Sequence, residues 1–166
     1  EDESVRIMEP HLLKMWKDAE KKGERYFPHE YFRRLFAEKL IKPDPEANPN
    51  DCWAYAAYEK NIPIVVPGFE DSTMGNIFAS YCIKNELSPS TMKSGIEYMM
   101  YLTDWYRANS AGKGVGFFQI GGGIAGDFPI CVVPMMYQDL AWHDVPFWSY
   151  FCQISDSTTS YGSYSG

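Results

Sequence analysis

Residues 114–130 read GVGFFQIGGGIAGDFPI. An apolar run, in which β-branched and aromatic residues dominate, stops at three consecutive glycines, and a single acid, Asp127, follows. The run has the length and composition of a buried strand, residues 114–120. The glycines make a turn in which no side chain stands between the backbone and whatever approaches it. A helix over about residues 128–140 continues the chain, so the stretch is a strand–turn–helix unit. Its turn suits a phosphate or dinucleotide, whose anionic oxygens bind backbone N–H groups. The spacing is not G-x-G-x-x-G, and a tight strand-to-helix turn alone explains it equally well.

Outward from this unit, strands and helices alternate. Residues 4–22 carry Ile7, Leu12, Met15 and Trp16 at helical spacing, with Pro10 expected to delay the start. Pro28 opens a second helix, through about residue 41, with Tyr31, Phe32, Leu35, Phe36 and Leu40 on its apolar face. A loop at 42–51 precedes a third helix at 51–60. Ile64, Val65 and Val66, between Pro63 and Pro67, read as a buried strand. Further helices are expected to about residue 86 and over 91–109, with Asp71 or Ser72 as an N-cap before them. Residues 145–154, VPFWSYFCQI, read as a third strand, and SDSTTSYGSYSG follows at 155–166. The pattern predicts an α/β fold, a parallel sheet with helices on both faces.

Composition narrows the function. The 166 residues suffice for one domain with a core. Hydrophobic residues make up 45% and charged residues 22%, ordinary for a globular protein. The net charge of −7 argues against nucleic acid as partner. No apolar stretch nears the roughly 20 residues of a membrane helix, and no secretory leader is visible at residues 1–8. The four cysteines, Cys52, Cys82, Cys131 and Cys152, form no C-x-x-C pair. We expect buried, reduced thiols and a cytoplasmic protein. His11, His29 and His143 are dispersed, so no metal site is expected.

In open α/β sheets ligands bind beyond the carboxyl ends of the strands. Three loops leave such ends: residues 68–76, 121–127 and 155–166. Asp71 is placed either to take a ribose hydroxyl pair or to cap a helix. Asp127 is either the partner of an ammonium group or a first-turn acid that the helix dipole favours. Asp156, Ser157, Ser163 and Ser165 offer polar contacts, or belong to a solvated tail. Trp142, Phe147, Trp148, Tyr150 and Phe151 are expected in the core, although aromatic walls also hold amine cations. Lys113 lies at the opposite end of its strand and reads as a surface lysine.

Three ordered segments carry a resemblance: NIPIVVPGFEDSTMGN at 61–76, the glycine stretch at 114–130, and SDSTTSYGSYSG at 155–166. Together they resemble the deoxyhypusine synthase family, most closely its bacterial deoxyhypusine synthase-like branch. The likeness runs from about residue 28 to residue 166. It implies a Rossmann-like NAD-binding fold, usually a homotetramer, that oxidises spermidine and passes its aminobutyl group to an amine through an imine on a lysine. A homospermidine-forming relative using putrescine is the alternative within the class. A polyamine- or NAD-binding relative without turnover is the alternative outside it.

The resemblance puts NAD at Asp71, Gly121, Gly122, Gly123, Asp156 and Ser157. It puts the amine substrate at Asn76, Asp127, Gly162, Ser163 and Tyr164. At three of these the chain departs from the family: Asn76 and Tyr164 stand where the family has acids, and Asp127 stands where it has a histidine. Negative charge is thus lost at two positions and gained at one. By the same resemblance, residues 1–166 are expected to be the C-terminal portion of a single NAD-binding α/β domain. Part of the fold is expected before Glu1, and the catalytic lysine after Gly166.

Overall fold

A computed structural model describes residues 2–41, 46, 48 and 51–155. The chain divides into two compact units, Glu1–Ser94 and Gly95–Gly166.

The first unit is helical. It comprises α1 (Asp2–Lys22), α2 (Pro28–Ala37), α3 (Trp53–Glu59) and α4 (Thr73–Ile83). Leu12, Met15, Trp16 and Ala19 recur every three or four residues along α1 and are all buried. They pack with Tyr31 and Leu35 of α2, Met74 and Phe78 of α4, and Leu87. Trp16 sits at the centre, edge-on to Phe78 (5.1 Å) and Tyr31 (6.5 Å). Pro10 lies inside α1 rather than delaying it. Its missing N–H costs one intrahelical bond, and the buried face from Leu12 onward holds the helix regardless.

The strand expected at 64–66 is not formed: the segment carries no strand and its three residues are half-buried. The flanking prolines, Pro63 and Pro67, have no N–H to give to a ladder. The chain then makes a left-handed turn at Gly68 (φ +60°) and a 3-10 turn at Phe69–Asp71. Gly75 of α4 lies so close to the Phe69 carbonyl that a Cβ there would overlap it.

The second unit is mixed. It contains α5 (Gly95–Ser110), β1 (Gly116–Ile120), α6 (Ile124–Ile130), α7 (Val132–Gln138) and β2 (Tyr150–Ile154). Among the described residues, β1 and β2 form a two-stranded parallel sheet, in register from Gly116↔Tyr150 to Ile120↔Ile154. The parallel pairing and the helical crossover through α6 and α7 agree with the α/β expectation. The expected larger sheet is not seen among the described residues. Tyr98, Leu102 and Tyr106 of α5 and Val132, Val133 and Met136 of α7 form the core. The helix expected from residue 128 begins earlier, at Ile124, and is interrupted at Cys131.

The third expected strand is half as long as predicted. Residues 145 and 146 are held by hydroxyls instead of a ladder: Tyr137 Oη donates to the Val145 carbonyl (2.6 Å) and Tyr106 Oη to the Pro146 carbonyl (2.7 Å). Two further expectations are corrected. Phe147, Tyr150 and Phe151 are exposed: Phe147 precedes β2, and Tyr150 and Phe151, neighbours in the strand and so on opposite faces of the sheet, are left uncovered among the described residues. Trp148 is half-buried against Tyr106 and Phe117, and Trp142 lies half-buried under the Arg107 guanidinium, 4.2 Å from its ring. None of the four cysteines is buried: Cys52 and Cys131 are exposed, Cys82 and Cys152 intermediate, and all are free thiols.

Candidate functional site

The in-register parallel pair brings the carboxyl ends of β1 and β2 side by side. The ladder runs one step past the strands: the Gly121 N–H donates to the Ile154 carbonyl at 2.9 Å. The glycine turn therefore begins bonded to the end of β2. Gly121 has φ +102° and Gly123 φ +29°, conformations that L side chains rarely adopt. Crowding is not the reason for glycine here. A Cβ on Gly123 would meet nothing within 4 Å, and one on Gly121 would reach only the Ala125 Cβ, at 4.0 Å. At Gly121 and Gly123 the turn is thus a left-handed backbone with open space beside it among the described residues. Among the described residues, the N–H groups of Gly122 and Gly123 meet no acceptor. Half-buried donors that meet no acceptor among the described residues fit the anionic part of a dinucleotide.

Asp127 follows one helical turn later. Its N–H donates to the Gly123 carbonyl (2.9 Å), and the residue is exposed. Its carboxylate is free to meet a cation from solvent. Below the turn lie two residues that motif reading missed, Gln119 and Gln153, paired across the strands. Both donate through Nε2 to the Gly121 carbonyl, at 3.0 and 3.2 Å. Gln119 is 2% exposed and its Oε1 has no partner. Gly126 is small because of it: a Cβ there would overlap the Gln119 carboxamide. The available signal was the recurrence of Gln-Ile at both strand ends, FFQIGGG and FCQISDS, each followed by a loop of small residues.

Asp71 and Asn76 belong to the first unit. The cap alternative for Asp71 is excluded, since Ser72 Oγ caps α4 by accepting from the Gly75 N–H at 3.0 Å. Asp71 is exposed in the preceding 3-10 turn. Asn76 spends its Nδ2 on two backbone carbonyls, Glu70 (3.1 Å) and Ser72 (2.9 Å), and so fastens that turn to α4. What it has left to offer a ligand is its oxygen, an acceptor suited to an ammonium group. Asp156, Ser157, Gly162, Ser163 and Tyr164 lie outside the described residues.

An open cleft of about 630 Å³ lies at the other end of the strands, lined by Lys113, Gly114, His143, Asp144 and Ser149 among others. Lys113 is exposed there, as a surface lysine should be. Among the described residues no group of His, Cys, Asp and Glu could hold a metal ion, and no helix is long and apolar enough to cross a membrane.

Parallel strands joined by a helical crossover, with a glycine turn at their carboxyl ends, define an α/β unit. A family model for deoxyhypusine synthase matches residues 1–166, and the chain belongs to that family. It is similar to a probable deoxyhypusine synthase of the fission yeast Schizosaccharomyces pombe, with 27% identity over 133 residues. The match covers 80% of this chain and 34% of the relative, so the chain spans about a third of that protein's length.

Proposed function

We propose that the protein carrying this chain transfers an aminobutyl group from a spermidine-like polyamine to an amine acceptor, with NAD as cofactor. Family membership supports the transferase reaction. The observation that supports the cofactor assignment is the glycine turn: left-handed at Gly121 and Gly123, bonded to the end of β2 and, among the described residues, presenting N–H groups without acceptors. NAD supplies reversible hydride acceptance at the carbon next to the amine nitrogen.

In this reading Gly121, Gly122 and Gly123 approach the cofactor, and the family likeness assigns Asp71, Asp156 and Ser157 to NAD as well. The same likeness assigns Asn76, Asp127, Gly162, Ser163 and Tyr164 to the amine, with Asp127 as the cation's counter-charge. The chain forms part of one NAD-binding α/β domain in a cytoplasmic homotetramer. A second reading has putrescine as donor and homospermidine as product. It is favoured by Asn76 and Tyr164, which are neutral where the family has acids, so the site suits an amine of lower charge.

The test is to incubate the intact protein with NAD and either spermidine or putrescine and to identify products by mass spectrometry. Spermidine that gives up its aminobutyl group must release 1,3-diaminopropane. Homospermidine from putrescine alone would favour the second reading. No product from either amine would sink both and leave a binding protein without turnover.

A further inference from the structure

Gln119 and Gln153 occupy an unusual place. Strands of a parallel pair are normally apolar along their buried face, and burying a carboxamide is costly unless its hydrogen bonds are met. Yet Gln119 is almost wholly buried, one of its polar atoms has no partner, and Gly126 is kept bare to make room for it. Each glutamine donates through Nε2 to the same atom, the Gly121 carbonyl oxygen. That oxygen can only accept, so it is the Nε2 of each side chain that faces it.

The consequence lies on the other side of the peptide. The Gly121–Gly122 bond is trans. In a planar trans peptide the carbonyl and the following N–H point in opposite directions. A carbonyl pulled toward Gln119 and Gln153 therefore turns the Gly122 N–H away from them, out of the buried face. With glycine on both sides of this peptide, sterics do not choose between the two orientations. The glutamine pair does.

We propose that Gln119 and Gln153 are positioning residues that lock the Gly121–Gly122 peptide so that the Gly122 N–H faces the anionic, phosphate-bearing part of the cofactor. This rests on the reading of the glycine turn as the NAD site. The unbound turn is thereby preorganised: the donor is aimed before the ligand arrives, and binding does not have to order it.

The test is calorimetric titration of NAD into the intact protein, with melting temperature recorded alongside. Gln153→Met leaves Gln119 in place and removes one donor. We expect NAD affinity to fall several-fold, up to about tenfold, because Gln119 alone then holds the peptide that aims the Gly122 N–H, in a protein that still melts cooperatively. Gln153→Glu keeps the shape and swaps the donor for an acceptor. Its affinity should be weakest at neutral pH and recover as pH falls, when the protonated carboxyl can donate to Gly121 again, whereas Gln153→Met should lack that recovery. Should Gln153→Met not fold, Gln153→Asn, one methylene shorter, takes the donor out of reach and reads out in the same way. Wild-type affinity in these variants, or a Gln153→Glu profile identical to that of Gln153→Met, would overturn the positioning role while leaving the NAD site standing. A wild-type protein that does not bind NAD would overturn the site itself.

Discussion

Replacing Gly126 by alanine sets two effects against each other, and the sign of the result decides between them. Gly126 lies inside α6, where alanine is intrinsically better than glycine by about 1 kcal/mol. If α6 were an ordinary surface helix, Gly126→Ala would stabilise. The position is buried, however, and the new methyl would fall on the carboxamide of Gln119, overlapping its oxygen, carbon and nitrogen together. Gln119 is 2% exposed, so its carboxamide can give way only by displacing buried neighbours. Overpacking of this kind costs about 1–3 kcal/mol. Forcing the amide aside also loses its hydrogen bond to Gly121, worth about 1 kcal/mol. With the helix gain subtracted, the variant should be about 1–3 kcal/mol less stable than wild type. Urea denaturation followed by tryptophan fluorescence measures this. Gly95→Ala, at the start of α5 with nothing within 4 Å of its Cβ, serves as the control and should be neutral or slightly stabilising. If Gly126→Ala matched or exceeded wild type, the close packing of α6 on β1 and the buried glutamine beneath the turn would both be refuted.

His29 links stability to pH. It is buried at the start of α2 and stacks on Phe27, and burial first, then Arg33 and Lys93, lowers its pKa from 6.5 to about 4. The folded state disfavours the proton, so stability is undiminished above about pH 6.5 and falls as pH drops toward 4, by up to about 3 kcal/mol from this group. His29→Phe should lose that part of the acid sensitivity; urea midpoints at pH 7.5 and pH 5 that shift equally in both proteins would contradict the assignment. Ser72→Ala removes the α4 cap and should cost about 1 kcal/mol, read from the urea midpoint at pH 7.5. Trp16→Ala empties the centre of the first unit's core and should cost about 3–5 kcal/mol, enough to abolish its cooperative unfolding; a loss below 1 kcal/mol would contradict the central placement of Trp16.

The sequence made visible what periodicity encodes. Leu12, Met15, Trp16 and Ala19 repeat at helical spacing, and they do form a buried stripe. The strand–turn–helix reading of residues 114–130 holds because a short β-branched and aromatic run, three glycines and a following helix each allow few alternatives. Residues 64–66 misled because β-branched composition reports fitness for a pleated surface and says nothing about an available partner. The aromatics of β2 misled for a related reason: whether Phe147 or Tyr150 is buried depends on what covers that face of the sheet, which no local pattern contains. Val145 and Pro146 left the strand because two distant tyrosine hydroxyls claim their carbonyls. Within the site, the glycines were legible from their type. Gln119 and Gln153 were not, because their meaning arises only when parallel register puts them under one carbonyl.

The central claim is that the glycine turn at the ends of β1 and β2 binds NAD. Calorimetric titration of NAD into the intact protein and its Gly123→Val variant tests it most directly. Valine at φ +29° is strained, and its side chain would fill the open space beside the turn. Saturable binding by the wild type, with loss of binding in a variant that keeps its helical circular dichroism, is the result predicted. Equal affinity in both proteins, or no saturable binding by the wild type, would contradict it.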